Sequence, residues 1–348
     1  MRGAIIGFGT IAMGHMVGYS RIEDLSVTAV VDVSEERREY ARESFGLPAY
    51  SDFAKLVANE SLDFIDICTP PSSHAEYSAL GLEHGLHVLC EKPVFLPGED
   101  GYASQLRAIR ASDRVFYPCH VYKYAPVLTA MKERIAAPGF GEVVGAHFRT
   151  LRAGHAKGVP EWRPHWRRET GTSRGGILRD HGPHSVYLAM NLTGLTPESV
   201  SCLTGRLTRG DAYPDSEDTA LVRMRCAGGV EIALHLSWSS GHRSTGYSIM
   251  GTSGSVVVDG DDLTYAADGR VVRTSIESGF DDPSHQEWFE RMLRDFQSVV
   301  AEPRRQDDLV REALTTSFVI DGAYASAAAD GAWVDCRVPG ALLAPVPG

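Results

Sequence analysis

The chain opens with an apolar run, Met1 to Ile6, that breaks into Gly7-Phe8-Gly9-Thr10-Ile11-Ala12. A strand ending in G-x-G-x-x-A restricts the chain to a narrow set of folds. Gly7 permits the tight turn out of the strand, Gly9 lets the backbone approach a pyrophosphate without a Cβ in the way, and Ala12 is small enough for the new helix to pack on a sheet. The free N–H groups and dipole of that helix start favour an anion. The spacing predicts a helix from Ile11 to Arg21, then a β-branched strand Val27-Thr28-Ala29-Val30-Val31 closing on Asp32. An acid about twenty residues past the fingerprint accepts hydrogen bonds from the adenosine ribose and repels a 2′-phosphate, which favours NAD. Arg37 and Arg38 keep NADP open. The competing reading of Asp32 is an N-cap for a helix Ser34 to Phe45.

A further strand, Leu62 to Cys68, is stopped by Thr69-Pro70-Pro71, because prolines cannot continue a ladder. His74 to Gly85 reads as a helix from the spacing of Ala75, Ala79, Leu80 and Leu82, with Gly85 as its stop. Next comes the strand His87-Val88-Leu89-Cys90, which surfaces at Glu91-Lys92-Pro93. The order is βαβαβαβ. Beyond it the pattern changes: 142–151, 199–209, 219–226, 230–237, 247–251 and 255–259 read as strands, and Gly228-Gly229 marks a hairpin. The fold class is therefore α/β, a Rossmann dinucleotide-binding domain followed by an α+β domain with a mixed or antiparallel sheet.

At 348 residues the chain exceeds one compact core. The expected division is 1–120 for the cofactor domain and 121–340 for substrate binding and oligomerisation, with an uncharged tail at 341–348 that frays. Thirty-four basic against forty-five acidic side chains give a net charge of −11, which argues against nucleic acid and anionic membranes as partners. No run approaches the ~18 apolar residues of a membrane helix, and the first strand begins at once, leaving no leader; the expected location is the cytoplasm. Six widely spaced cysteines, with no C-x-x-C, read as reduced thiols.

Three segments carry a resemblance: Gly7 to Ala12, Cys68-Thr69-Pro70-Pro71-Ser72-Ser73-His74-Ala75-Glu76, and Gly85 to Pro93. Together they resemble the Gfo/Idh/MocA oxidoreductases (the glucose-fructose oxidoreductase and inositol dehydrogenase type). Later landmarks agree: Gly139 to Val143, Gly175 to His184, and Ala323 to Val334 as a closing helix and turn. The resemblance implies a cofactor set of Gly7, Phe8, Gly9, Thr10, Ile11, Ala12, Asp32, Thr69, Pro70, His74, Glu91 and Lys92, a cis Lys92-Pro93 peptide, and an open sheet face that joins subunits into a homodimer or homotetramer. It also implies a catalytic trio: Lys92 orients and acidifies a substrate hydroxyl, His184 takes its proton, and Asp180 supports the histidine. Chemically the trio suits hydride transfer, because imidazole titrates near neutrality and an ammonium lowers the pKa of an alcohol.

Pro183 complicates this segment, since proline inside a helix removes a hydrogen bond to the carbonyl of Arg179. Either the helix kinks, or it restarts at Pro183 and places His184 in a first turn, where the dipole disfavours imidazolium. Tyr187 is a departure from the family pattern, in which an acid commonly stands three residues after the histidine. Asp180, His181 and His184 could be imagined around a metal, but the resemblance implies none. His120, Tyr122 and Lys123 follow a strand at the sheet end that binds ligands, as substrate or nicotinamide contacts or as structural groups.

Between 149 and 179 lie eight Lys or Arg against two Glu, and Trp162-Arg163-Pro164-His165-Trp166-Arg167-Arg168 alternates rings with cations. That combination grips sugar faces and anionic groups, which makes Trp162 and Arg163 substrate candidates; pairing with a neighbouring subunit is the competing reading. His181, beside Asp180, is a further substrate candidate. The expected activity is NAD-dependent interconversion of a secondary alcohol and a ketone on a sugar, cyclitol or related polyol, anionic or nucleotide-linked forms included. The alternatives are a redox-neutral enzyme that uses NAD transiently and a non-catalytic NAD-binding regulator.

Overall fold

The computed structural model describes residues 1–96, 102–210, 212–277, 279–280 and 285–343. Most of the proline-rich tail, 344–348, lies outside them. The first sheet contains six parallel strands: β1 (Arg2–Ile6), β2 (Ser26–Val31), β3 (Ala49–Tyr50), β4 (Phe64–Ile67), β5 (His87–Glu91) and β6 (Phe116–Cys119). Their order is β3-β2-β1-β4-β5-β6. The order reverses between β1 and β4, and ligands of open α/β sheets sit beyond the carboxyl ends of strands at such a switch. Helices α1 (Thr10–Tyr19), α2 (Glu35–Phe45), α3 (Phe53–Asn59), α4 (His74–Glu83) and α5 (Ala103–Ala111) connect them. Ala4, Ile5 and Ile6 of β1, and Phe64, Ile65 and Ile67 of β4, are fully buried, as covered parallel strands require.

Gly7 has φ +91°, and a Cβ there would fall 2.8 Å from the Thr69 side chain. Only glycine makes this turn. Ser34, not Asp32, caps α2, accepting from the Arg37 N–H. The competing reading of Asp32 therefore fails, and its carboxylate is left at the end of β2.

A helix α6 (Pro126–Ile135) leads into the second sheet, whose strands are β7 (Val143–Leu151), β8 (Pro197–Gly205), β9 (Thr219–Cys226), β10 (Glu231–Ser237), β11 (Ser244–Gly251), β12 (Gly254–Asp259), β13 (Asp262–Ala267), β14 (Arg270–Ser275) and β15 (Val334–Asp335). The order is β14-β13-β12-β11-β7-β10-β9-β8-β15, with β7 and β10 parallel and the other neighbours antiparallel. Period-two patterning gives it two unlike faces: in β9, Ala220, Val222, Met224 and Cys226 are buried, whereas Leu221, Arg223 and Arg225 are exposed. The buried face carries α8 (Ile177–Thr193), preceded by the short α7 (Thr170–Ser173), and α10 (Gln306–Ala328). The other face leaves Leu203, Leu221, Met250 and Val257 exposed. A helix α9 (Gln286–Ala301) returns to pack against α1.

Among the described residues no helix is long and apolar enough to cross a membrane. All six cysteines are buried and unpaired.

The helix α8 runs without a break through Pro183. A restart at Pro183 is thus overturned, and His184 lies in the second turn rather than the first. The start of α8 is fixed instead from a distant loop: the Glu217 carboxylate accepts the N–H of Gly176 (2.9 and 3.0 Å) and of Leu178 (3.0 Å). A carboxylate at a helix N-terminus satisfies free donors and opposes the dipole. Gly176 has no space for a side chain, since its Cβ would lie 1.9 Å from the Glu217 carbonyl oxygen.

Candidate active site

Two cavities meet at the carboxyl ends of β1, β4 and β5. The first, about 400 Å³, is floored by the glycine turn and walled by Asp32, Thr69 and Pro70. A Cβ at Gly9 would meet nothing within 4 Å, so the turn leaves open space where a pyrophosphate would approach the N-terminus of α1. Asp32 is oriented by two backbone donors, Phe8 N–H to Oδ2 (2.7 Å) and Ser34 N–H to Oδ1 (2.9 Å). Both nearby arginines are engaged: Arg37 Nε donates to the Phe8 carbonyl (2.8 Å), and Arg38 donates to the Asp32 carbonyl (2.6 Å) and to Glu35. The residues fit a dinucleotide with an unphosphorylated ribose. Phe8 and Ala12 are buried and hold the turn from behind; Phe8 packs edge-on against Phe45. His74 also lies behind it, bridging the Pro93 and Thr69 carbonyls at 2.9 Å each.

The opposite wall of this cavity comes from the segment after β7. Gly158, Val159, Trp162, Arg163, Trp166 and Arg167 face the glycine turn. Trp162 and Arg163, expected at the substrate, therefore border the cofactor cavity, because the basic segment crosses the mouth of the first sheet. Trp166 and Arg167 line both cavities.

The second cavity, about 330 Å³, gathers Lys92, Asp180, His181, His184 and Tyr122. Lys92, at the end of β5 before a cis peptide to Pro93, donates to Asp180 Oδ1 (2.9 Å) and to the Asp180 carbonyl (2.7 Å). Arg167 Nε stands 3.6 Å from the same Oδ1, and His181 Nε2 stands 3.8 Å from Oδ2. Burial alone would raise the Asp180 pKa, but Lys92 and then Arg167 hold it well below the usual carboxylate range. Asp180 thus anchors cations.

His184 has a different partner: its Nδ1 lies 2.7 Å from the Tyr187 hydroxyl, which also accepts the Tyr122 N–H (3.3 Å). The expectation that Asp180 supports the imidazole gives way to this contact, since the carboxylate is drawn to the stronger cations. Tyr187 occupies the place of the family's acid as the histidine's neutral partner. The Tyr122 ring covers one face of His184 at 4.1 Å between centroids. Burial, then Lys92 and His181, push His184 well below its ordinary value, and burial pushes His181 down to about 3. Both imidazoles are neutral near pH 7.

His120 stands outside the cavity. Its Nδ1 lies 2.7 Å from Glu312, which Lys123 also contacts, and its ring stacks on Tyr187 at 4.0 Å. Its ring backs Tyr187. Asp180, His181 and His184 do not form a compact ligand set; among the described residues that description fits His15, Asp66 and Cys68. There His15 is already bonded, Nδ1 to Asp66 (2.6 Å) and Nε2 to Glu91 (3.1 Å). Burial opposes its charge, yet Asp66 and Cys68 together outweigh burial and hold the imidazole well above its ordinary value. The result is a buried cation that ties Glu91, and so the strand end carrying Lys92, to α1.

Residues 1–118 match the family model described as "Oxidoreductase family, NAD-binding Rossmann fold", and 128–257 match the GFO/IDH/MocA C-terminal domain. The chain belongs to the Gfo/Idh/MocA family. It is an oxidoreductase with an NAD-binding Rossmann domain. Among its relatives is the 1,5-anhydro-D-fructose reductase of Ensifer adhaerens, 26% identical over 260 residues, covering 74% of this chain and 75% of that one. The scyllo-inositol 2-dehydrogenase (NADP(+)) of Bacillus subtilis (strain 168) is 25% identical, covering 93% and 96%. The fold matches levoglucosan dehydrogenase, solved with NADH and L-sorbose, at a TM-score of 0.81 and 21% identity over 97% of this chain and 99% of that one.

Sequence reasoning missed Arg152, Tyr187 as a histidine partner, Glu217 and His15. Two of them left a signal: Arg152 as one of the eight cations between 149 and 179, and Tyr187 by standing where the family commonly places an acid.

Proposed function

We propose that this protein is an NAD-dependent dehydrogenase that interconverts a secondary alcohol and a ketone on a sugar, cyclitol or related polyol. The observation that carries the reading is the convergence of Lys92, Asp180 and His184 on one cavity that shares Ile11, Cys68 and Thr69 with the glycine-turn cavity. Residues 1–120 would bind cofactor and 121–340 would bind substrate.

Gly7, Gly9, Thr10, Ile11, Asp32, Thr69 and Pro70 would hold the dinucleotide, with Trp162, Arg163 and Trp166 closing over it. Bound NAD supplies the acceptor for the hydride that leaves the carbinol carbon. Lys92, held by Asp180, orients the hydroxyl and lowers its pKa. His184, kept neutral by burial, takes the hydroxyl proton on Nε2 while Tyr187 holds Nδ1. In the reverse direction the imidazolium returns the proton.

Support for a homo-oligomer comes from the exposed apolar residues of the open sheet face, a surface that association would bury. Six buried, unpaired thiols fit a reducing compartment, and the cytoplasm is the location proposed.

The test is a panel of cyclitols, sugars, sugar acids and nucleotide sugars offered with NAD or NADP, followed by absorbance of the reduced cofactor and by chromatography. Stoichiometric NADH with ketone product is expected. Product without net NADH would replace the dehydrogenase with a redox-neutral enzyme.

A further inference from the structure

The catalytic cavity holds more positive charge than the hydride chemistry uses. Among the described residues, Lys92, Arg152, Arg167 and Arg179 line it, against the acids Glu91 and Asp180. Asp180 is shared by Lys92 and Arg167, and Glu91 by His15 and the Lys92 N–H. Neither acid is left for Arg152.

Arg152 follows the last residue of β7 and is only 5% exposed. One end of its guanidinium is pinned: Nη1 donates to the carbonyls of Leu151 (2.8 Å) and Ser244 (3.1 Å) and to Thr245 Oγ1 (3.1 Å). The other edge, Nε and Nη2, is buried without a partner. Arg179, also 5% exposed, has Nη2 2.7 Å from Asp321 while Nε and Nη1 lack a partner. The buried His181 Nδ1, on the same cavity, is unpartnered as well. Buried donors in native proteins are almost always satisfied, and a buried guanidinium with a free edge is costly unless something completes it.

We infer that the catalytic cavity contains a carboxylate-binding subsite built on Arg152, so that the substrate of the dehydrogenase proposed above is a sugar acid or other polyol carboxylate. The free atoms are the two donors of one guanidinium edge, the side-on fork that matches the two oxygens of a carboxylate. A carboxylate there supplies the counter-charge that no acid among the described residues gives Arg152, in the cavity that His181 also lines. Arg152 binds and orients; it takes no part in proton or hydride movement. The inference rests on the dehydrogenase reading for its chemistry but not for its binding test.

That test is calorimetric titration of the full chain, saturated with NADH, with D-glucuronate, D-galacturonate and D-gluconate against D-glucose, D-galactose and D-glucose 6-phosphate. At least one acid is expected to bind about tenfold or more tighter than its neutral counterpart, the scale of a desolvated charge-assisted fork. In Arg152→Gln that preference should shrink to about threefold or less, with Arg152→Lys between the two. Equal or tighter binding of the neutral sugars overturns the subsite, as does a preference that survives in a folded Arg152→Gln. Preference for the phosphate overturns the assignment to carboxylate. The wild-type comparison decides even where a variant fails to fold. Acid binding without any reduced cofactor from NAD and the same acids would sink the dehydrogenase reading and leave the subsite standing, whereas turnover of neutral polyols alone would do the reverse.

Discussion

The Lys92 ammonium lies 2.9 Å from Oδ1 of Asp180 and 2.7 Å from the same residue's backbone carbonyl, so one side chain spans from the carboxyl end of a parallel strand to the first turn of a helix on the other sheet. The contact fixes the cavity from both sides. It also leaves His184 to a neutral partner, the Tyr187 hydroxyl.

Removing either end of this pair should affect turnover more than cofactor binding. Lys92→Met is expected to lower kcat by roughly 10²–10⁴, the usual range for a group that assists proton transfer. Asp180→Asn should cost nearly as much, because the ammonium loses its anchor. NADH binding, followed by fluorescence, should change less than about threefold for both. In the double variant the losses should fall well short of the product of the single ones.

Tyr187 offers a way to move the base. Tyr187→Phe removes the partner of Nδ1 and should reduce kcat about tenfold or more while the ring still stacks on His120. Tyr187→Glu places a carboxylate beside the imidazole and should raise the His184 pKa, shifting the acid limb of the kcat profile upward by about a unit or more. An unchanged profile would show that Tyr187 does not govern the base.

The depressed histidines also set a pH dependence of stability. His181 titrates near 6.5 when unfolded and at about 3 in the fold, so between these values the unfolded chain binds more protons. Stability must then rise with pH across that window and be lost as pH falls below about 6.5, by up to ~1.4 kcal/mol per unit from this residue. His184, also depressed, adds in the same direction. Chemical denaturation from pH 7 to 4.5 should show a shallower dependence in His181→Asn than in the parent.

His15 works oppositely, as a cation held between Asp66 and Glu91. His15→Phe leaves two buried carboxylates without their partner and should destabilise the fold by about 3–5 kcal/mol, the scale of a broken buried pair. Denaturant titration measures it.

Much of the first sheet was legible because each signal is local: Gly7 must turn, Pro70 and Pro71 must stop a strand, and Asp32 ends the second strand beside the glycine turn. The second sheet was legible where alternation is strong, as at Thr219–Cys226, and illegible at Asp262–Ala267 and Arg270–Ser275, whose residues, apart from the buried Leu263, are half-exposed or exposed and carry little hydrophobic pattern. The side chains proposed for catalysis could be named from short motifs, but their pairing could not. Whether Asp180 turns to His184 or to Lys92 depends on a contact between residues 88 apart in sequence. Glu217 reaches Gly176 across 41 residues, and no spacing rule anticipates either.

The central claim is that His184 takes a hydroxyl proton while hydride leaves for NAD. Its most direct test is the rate of NADH formation by the wild-type protein and His184→Ala on the best substrate of the panel, with NAD affinity measured alongside. A loss of roughly 10²–10⁴ in kcat with affinity within about threefold is the predicted result. Near-normal NADH formation in His184→Ala would contradict the account and remove His184 from the chemistry.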